Sequence, residues 1–219
     1  MDPISRRSTR VRPAVTAALA ALAVYAPPAV AHAHHGMGGK LPASLWQGLL
    51  AGLAHPVIGV DHLAMLLLVG AYCGAARQGR RPLLAFVVAA LVGCLLHVAR
   101  LDLPHVEATI AASLVVSGLV ACAALRSSPA VTTAVLGAVG VLHGYAYGES
   151  IVGAEPTPLA GYLLGLTLVQ GALAGLLLRL TAHAASGPEP RGLRVTRVLG
   201  AASALVGLVA LFAFWVERV

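Results

Sequence analysis

Apolar runs near residues 44–76, 81–100, 105–125, 129–148, 158–182 and 195–217 take up most of this chain. About 20 residues rising about 1.5 Å each are enough to cross a hydrocarbon core near 30 Å thick. Lipid offers the backbone no hydrogen-bond partners, so such runs fold as helices. Only 11% of the 219 residues are charged, and 58% are hydrophobic. A soluble domain carries about 25% charged residues, and a water-soluble fold of this size could not cover itself with so few. The expectation is an all-α, polytopic membrane bundle of about six transmembrane helices.

The first run is too long for one straight crossing. Pro56 and Gly59 interrupt it, so its helix should be kinked or broken there. Pro104, Pro129 and Pro158 stand at the starts of later runs, where proline is tolerated. Glycine pairs at four-residue spacing (Gly48/Gly52, Gly70/Gly74, Gly161/Gly165 and Gly171/Gly175) should let helices approach closely within the bundle.

The beginning of the chain reads differently. Arg6, Arg7, Arg10 and Arg12 face a single acid, Asp2, and an apolar stretch runs from Ala14 to Tyr25. Small residues at Ala29, Ala31 and Ala33 then satisfy the A-x-A rule. This is the pattern of a secretory signal peptide over 1–33, cut after Ala31 or Ala33, with the transmembrane domain over 34–219. The mature chain would start outside the membrane with His34-His35 at or near its end. That start can chelate a divalent metal, or it is a plain polar spacer.

Orientation has a second, independent signal. Arg77, Arg80, Arg81, Arg126, Arg179, Arg191, Arg194 and Arg197 fall in or beside the loops after the first, third and fifth runs. Lys40, Arg100 and Arg218 fall on the other side. The positive-inside rule places the first set in the cytoplasm and both termini outside an inner membrane. The same scatter of arginines argues against nucleic acid as a partner, despite a net charge of +7. Cys73, Cys94 and Cys122 lie in apolar runs without a CxxC spacing, so neither a disulfide framework nor a thiolate site is expected.

Against this background a few polar residues stand out. His55-Pro56-Val57-Ile58-Gly59-Val60-Asp61-His62 interrupts the first run, and a charge at mid-membrane costs about 2.5–3.5 kcal/mol on insertion scales. Two imidazoles and a carboxylate suit nickel, cobalt, zinc or copper better than magnesium. Alternatively, Asp61 caps the second half-helix while the histidines bond freed carbonyls. His143 and Tyr147 share a helix face near the end of the fourth run, with Glu149 beyond them. His97, His105 and Glu107 also lie toward the outer side, so a polar outer vestibule is expected there. Tyr145 and Tyr147 read as interfacial belt residues, Gln170 as an interhelical hydrogen bond, and His183 as solvated on the inner side.

The His55–His62 pattern, HPxxGxDH, resembles the HupE/UreJ family of hydrogenase- and urease-associated membrane proteins. Glu107-Ala-Thr-Ile110-Ala-Ala-Ser113 is similar to that family's E-x-x-I-A-x-S helix start. His143-Gly144-Tyr145-Ala146-Tyr147-Gly148-Glu149 is similar to its H-G-x-A-x-G-x-E segment. The order of the three motifs, the leader and the six spans extend the likeness over nearly the whole chain. The resemblance implies uptake of nickel or cobalt by a secondary permease, with His55, Asp61 and His62 as metal ligands and Glu107, His143 and Glu149 as further candidates. One departure affects metal preference: many relatives carry histidine where Tyr147 stands.

On this reading the ion passes from His34/His35 to the vestibule and then to the first-run motif. Its partners are a divalent cation and the bilayer; an oligomer is left open. No prosthetic group and no enzyme activity are expected, and no Walker motif is present. Two rivals remain: an accessory or metal-sensing protein that does not transport, and an intramembrane zinc hydrolase, which lacks an HExxH motif.

Overall fold

The computed structural model describes residues 40–186 and 191–218. The expected leader, its cleavage sites, His34 and His35 lie outside the described residues. Helices account for every regular element among the described residues: α1 (Leu45–Ile58), α2 (Val60–Ala75), α3 (Arg81–Val98), α4 (Val106–Cys122), α5 (Pro129–Glu149), α6 (Pro156–Ala184) and α7 (Arg191–Val216). Each apolar run is helical, the first as a pair.

Local chemistry sets the ends. Ser44 caps α1 by accepting the Gln47 amide, and Ser128 caps α5 by accepting the amide of Val131, with Pro129 at the first helical position. Helices α2, α3 and α4 end in left-handed residues, Arg77, Arg100 and Ala124. In each the following amide (Gln78, Leu101, Leu125) reaches back to the carbonyl of Cys73, Leu96 or Val120, the Schellman closure.

Helices α3, α5, α6 and α7 are each long and apolar enough to cross a membrane, and the α1–α2 pair passes the same test together as a broken span or a re-entrant pair. Helix α4, with 17 residues, is a shorter apolar helix at the lower limit for a crossing. Large apolar side chains point outward along these helices, among them Leu84, Val88, Val116, Leu119, Leu168 and Phe212. In water such a surface would aggregate; in a bilayer it is the solvated face.

Close packing falls into pairs. On α1, Gly48 and Gly52 press against the backbone at Pro158 and Tyr162 of α6, while Gly161 and Gly165 of α6 press against Leu45 and Leu49. Gly70 and Gly74 of α2 lie on α6 further along, at Ala174 and Leu178. Helix α4 meets α7 at Gly118, Gly200 and Gly207. One expected pair is absent: a side chain at Gly171 or Gly175 would meet nothing, because these glycines face away from the bundle. An interface the spacing analysis missed joins α3 to α5, where Gly140, Gly144 and Gly148 lie on Phe86, Ala90 and His97.

The break between α1 and α2 positions the site. The two helices are bent by 80° at Gly59. Pro56 contributes no amide to α1, and Gly59 caps both halves. From Gly52 to Gly70 the chain uses 18 residues, while α6 passes from Tyr162 to Ala174 in 12. At 1.5 Å per residue the surplus is roughly 9 Å of helix. The bend takes up this excess, turning His55 and His62 into the bundle while Val57, Ile58 and Val60 stay exposed. Hydroxyls then pin α2 from behind: Thr181 and Thr196 both donate to the Ala71 carbonyl, and Ser203 donates to that of Ala64.

Candidate functional site

Three imidazoles stand in file across the middle of the bundle. The His55 and His62 ring centres are 5.5 Å apart, and those of His62 and His143 are also 5.5 Å apart. All three are buried. Tyr147 packs beside the file, its ring centre 4.4 Å from that of His62 and 5.2 Å from that of His55. Tyr147 is therefore a core residue at the site rather than a member of an interfacial belt. Tyr145 is buried as well; its hydroxyl donates to the Leu101 carbonyl and accepts the Leu103 amide, tying down the α3–α4 connection.

Each end of the file is oriented by a hydroxyl relay. At one end, Tyr162 donates its proton to the Tyr147 carbonyl at 2.7 Å. The same oxygen lies 2.7 Å from His55 Nδ1, so it accepts from that ring and places the His55 lone pair on Nε2. Ser150 also approaches Nδ1, at 2.9 Å. At the other end, Ser113 donates to the Ile110 carbonyl and lies 3.1 Å from His143 Nε2. It therefore accepts from Nε2, which places the His143 lone pair on Nδ1. That Nδ1 faces His62 Nδ1 at 3.3 Å. Holding the far nitrogen as a donor is how proteins aim an imidazole at a cation.

Asp61 occupies the first turn of α2, where its Oδ1 accepts the His62 amide at 2.8 Å. The carboxylate thus satisfies one of the amides left open by the break. It also lines a cleft of about 460 Å³ at the end of the bundle opposite the arginine-rich ends. His97, His105, Glu107 and Glu149 line the same cleft, whereas His143 and His62, also expected toward this outer side, are not part of its lining. The cleft adds two acids that the sequence reading passed over, Asp102 and Glu217. Of the six acidic residues among those described, only Glu155 lies outside it. Ile110 and Ala111 of α4 and Tyr145 and Ala146 of α5 form part of its wall, and Ser113 and His143 lie just deeper on the same two helices. His97 is held by donating Nδ1–H to the Tyr145 carbonyl at 2.9 Å, which explains its orientation without a ligand role.

Among the described residues, no three His, Cys, Asp or Glu side chains are assembled as a ready metal-binding set. The arrangement is instead a row of imidazoles beneath an acidic cleft, with Asp61 reaching the cleft and its neighbour His62 reaching the row. His183 is exposed at the far end. The interhelical bond expected of Gln170 is not made: its amide is fully buried, and neither polar atom has a hydrogen-bond partner among the described residues.

The fold and this row define a polytopic helical membrane protein with a histidine-lined interior. The HupE / UreJ protein family matches residues 20–210, and the chain belongs to that family. Protein HupE of Rhizobium leguminosarum bv. viciae is 31% identical over 202 residues, which cover 90% of this chain and 96% of that protein. No solved structure matches the chain.

Proposed function

We propose that this protein is a permease that admits Ni²⁺ or Co²⁺ across the inner membrane for metalloenzyme maturation, and that it is not an enzyme. The facing Nδ1 atoms of His62 and His143 carry the reading. Two nitrogens bound to one ion at about 2.1 Å stand about 3.0–3.4 Å apart for bond angles of 90–110°. The observed 3.3 Å is that separation. The two rings can hold an ion with little movement, or share a proton in its absence.

The cleft supports a direction of travel. By the positive-inside rule its acidic mouth faces outward, where it gathers divalent cations. Glu107, Glu149 and Asp61 would offset the ion's charge as water is shed, and His143, His62 and His55 would pass it inward as neutral donors. Neutral imidazoles favour later first-row ions, whereas Mg²⁺ and Ca²⁺ prefer all-oxygen shells.

Uptake of radiolabelled Ni²⁺ and Co²⁺ by cells with and without the gene tests this, with Mg²⁺ in large excess. Gene-dependent accumulation that survives the excess is expected. Accumulation indifferent to the gene refutes transport and leaves an accessory or sensing role; strong Mg²⁺ competition refutes the imidazole site.

A further inference from the structure

Gln170 is the buried polar side chain that the row of imidazoles does not use. The buried hydroxyls of Thr181, Thr196 and Ser203 donate to carbonyls of α2, and those of Tyr162 and Ser113 form the two relays. The Gln170 amide offers two N–H donors and a carbonyl acceptor, yet none finds a partner among the described residues at 0% exposure. An apolar residue of the same size would pack there without that desolvation.

Its level in the bundle is fixed by its neighbours on α6. One turn outward, Leu166 packs with Ala90, Cys94, Tyr147 and Tyr162. One turn inward, Ala174 packs with Met65, Leu66, Val69 and Phe86. Met65 and Leu66 follow His62 by one turn of α2. Gln170 therefore lies on the stripe that carries Tyr162, roughly 12 Å further toward the arginine-rich end. It stands where the cluster around the site gives way to the purely apolar inner core. Tyr147, whose hydroxyl also lacks a partner among the described residues, belongs to the outer of these two clusters.

We propose that Gln170 is the next ligand of the transported ion, taking it through Oε1 on the inward side of the imidazole row. The proposal rests on the transport reading above. An amide oxygen adds no charge and binds nickel or cobalt more weakly than imidazole does, which suits a release step: a conducting site must let its ion go. No other polar side chain on this stripe lies between Tyr162 and Thr181.

The test uses the purified full chain in liposomes, with Ni²⁺ as probe, and compares wild type with Gln170→Leu and Gln170→Glu. Leucine should keep or raise the melting temperature and leave half-saturation within about twofold, while cutting the maximal rate about tenfold or more. Glutamate keeps the oxygen and adds charge, so it should lower half-saturation and slow release. A leucine variant with wild-type rate overturns the proposal, as does a rate loss accompanied by a fall in melting temperature. Wild-type vesicles that admit no Ni²⁺ would overturn the transport reading itself, and this proposal with it.

Discussion

His62 and His143, 81 positions apart, face one another through their Nδ1 atoms at 3.3 Å in the interior of the bundle. His143 arrives with its lone pair already aimed, because Ser113 holds the opposite nitrogen. If the two rings bind one ion, they act as a unit. His62→Gln and His143→Gln should each lower nickel uptake by about tenfold or more, and the double variant should be little worse than either single one. Initial uptake rates normalised to membrane protein level check this. Additive losses would separate the two rings.

The Tyr162 relay makes a related prediction. Tyr162→Phe removes the hydroxyl between the Tyr147 carbonyl and His55 Nδ1 but keeps the ring. Outer-shell partners of this kind are worth about 10–100-fold in metal affinity, and the Tyr147 carbonyl keeps Ser150 as its remaining hydroxyl donor, at 3.2 Å. Nickel binding to purified protein, by calorimetry, should weaken within that range, with a modest fall in melting temperature. Unchanged affinity would reduce His55 to a packing residue.

Asp61 presents two roles at once, holding the His62 amide and facing the cleft. Asparagine caps comparably to aspartate but carries no charge. Asp61→Asn should therefore leave the protein in the membrane at normal level while sharply reducing uptake. Normal uptake by this variant would restrict Asp61 to capping.

Tyr147 fills the space beside His62 and His55. Tyr147→His puts a fourth imidazole there, one turn from His143 on α5. Apparent affinity should tighten and the Ni²⁺-to-Co²⁺ ratio should shift, with slower turnover if the ion is held too well. Uptake measured against metal concentration decides it; identical curves for both proteins would remove Tyr147 from the route.

The glycines allow a test of the packing. Gly144 lies on the Ala90 backbone, so Gly144→Ala forces α3 and α5 apart and should destabilise by about 1–3 kcal/mol. Gly171 faces open space, and Gly171→Ala should stabilise by about 0.5–1 kcal/mol through helix propensity alone. Thermal unfolding of both variants in detergent should move in opposite directions.

The helices themselves were legible in the residues. Lipid leaves a long uncharged run one way to satisfy its backbone, so composition and length were enough to locate every described helix to within a few residues. The break at Pro56–Gly59 was legible for the same reason: a missing amide and a missing side chain act locally, whatever surrounds them. Glycine spacing identified Gly48/Gly52 and Gly161/Gly165 as contacts. It could not tell that Gly171/Gly175 face outward or that Gly140, Gly144 and Gly148 form an interface, since a small residue permits close approach without naming the partner.

The site divides along the same line. His55, Asp61, His62 and His143 stood out because a polar side chain within an apolar run needs a compensating contact. Which contact it finds depends on helices far apart in sequence. Asp102 and Glu217 lie near helix ends where an acid is ordinary, and only the convergence of α2, α3, α4, α5 and α7 gathers them into one cleft with Asp61, Glu107 and Glu149. Tyr147 looked interfacial by its position near the end of α5, yet the 80° bend brings two imidazoles against its ring. Period and hydropathy determine where a helix lies. The rotation of each helix against its neighbours, which sets what His62, Tyr147 and Gln170 meet, is decided by packing across the whole bundle.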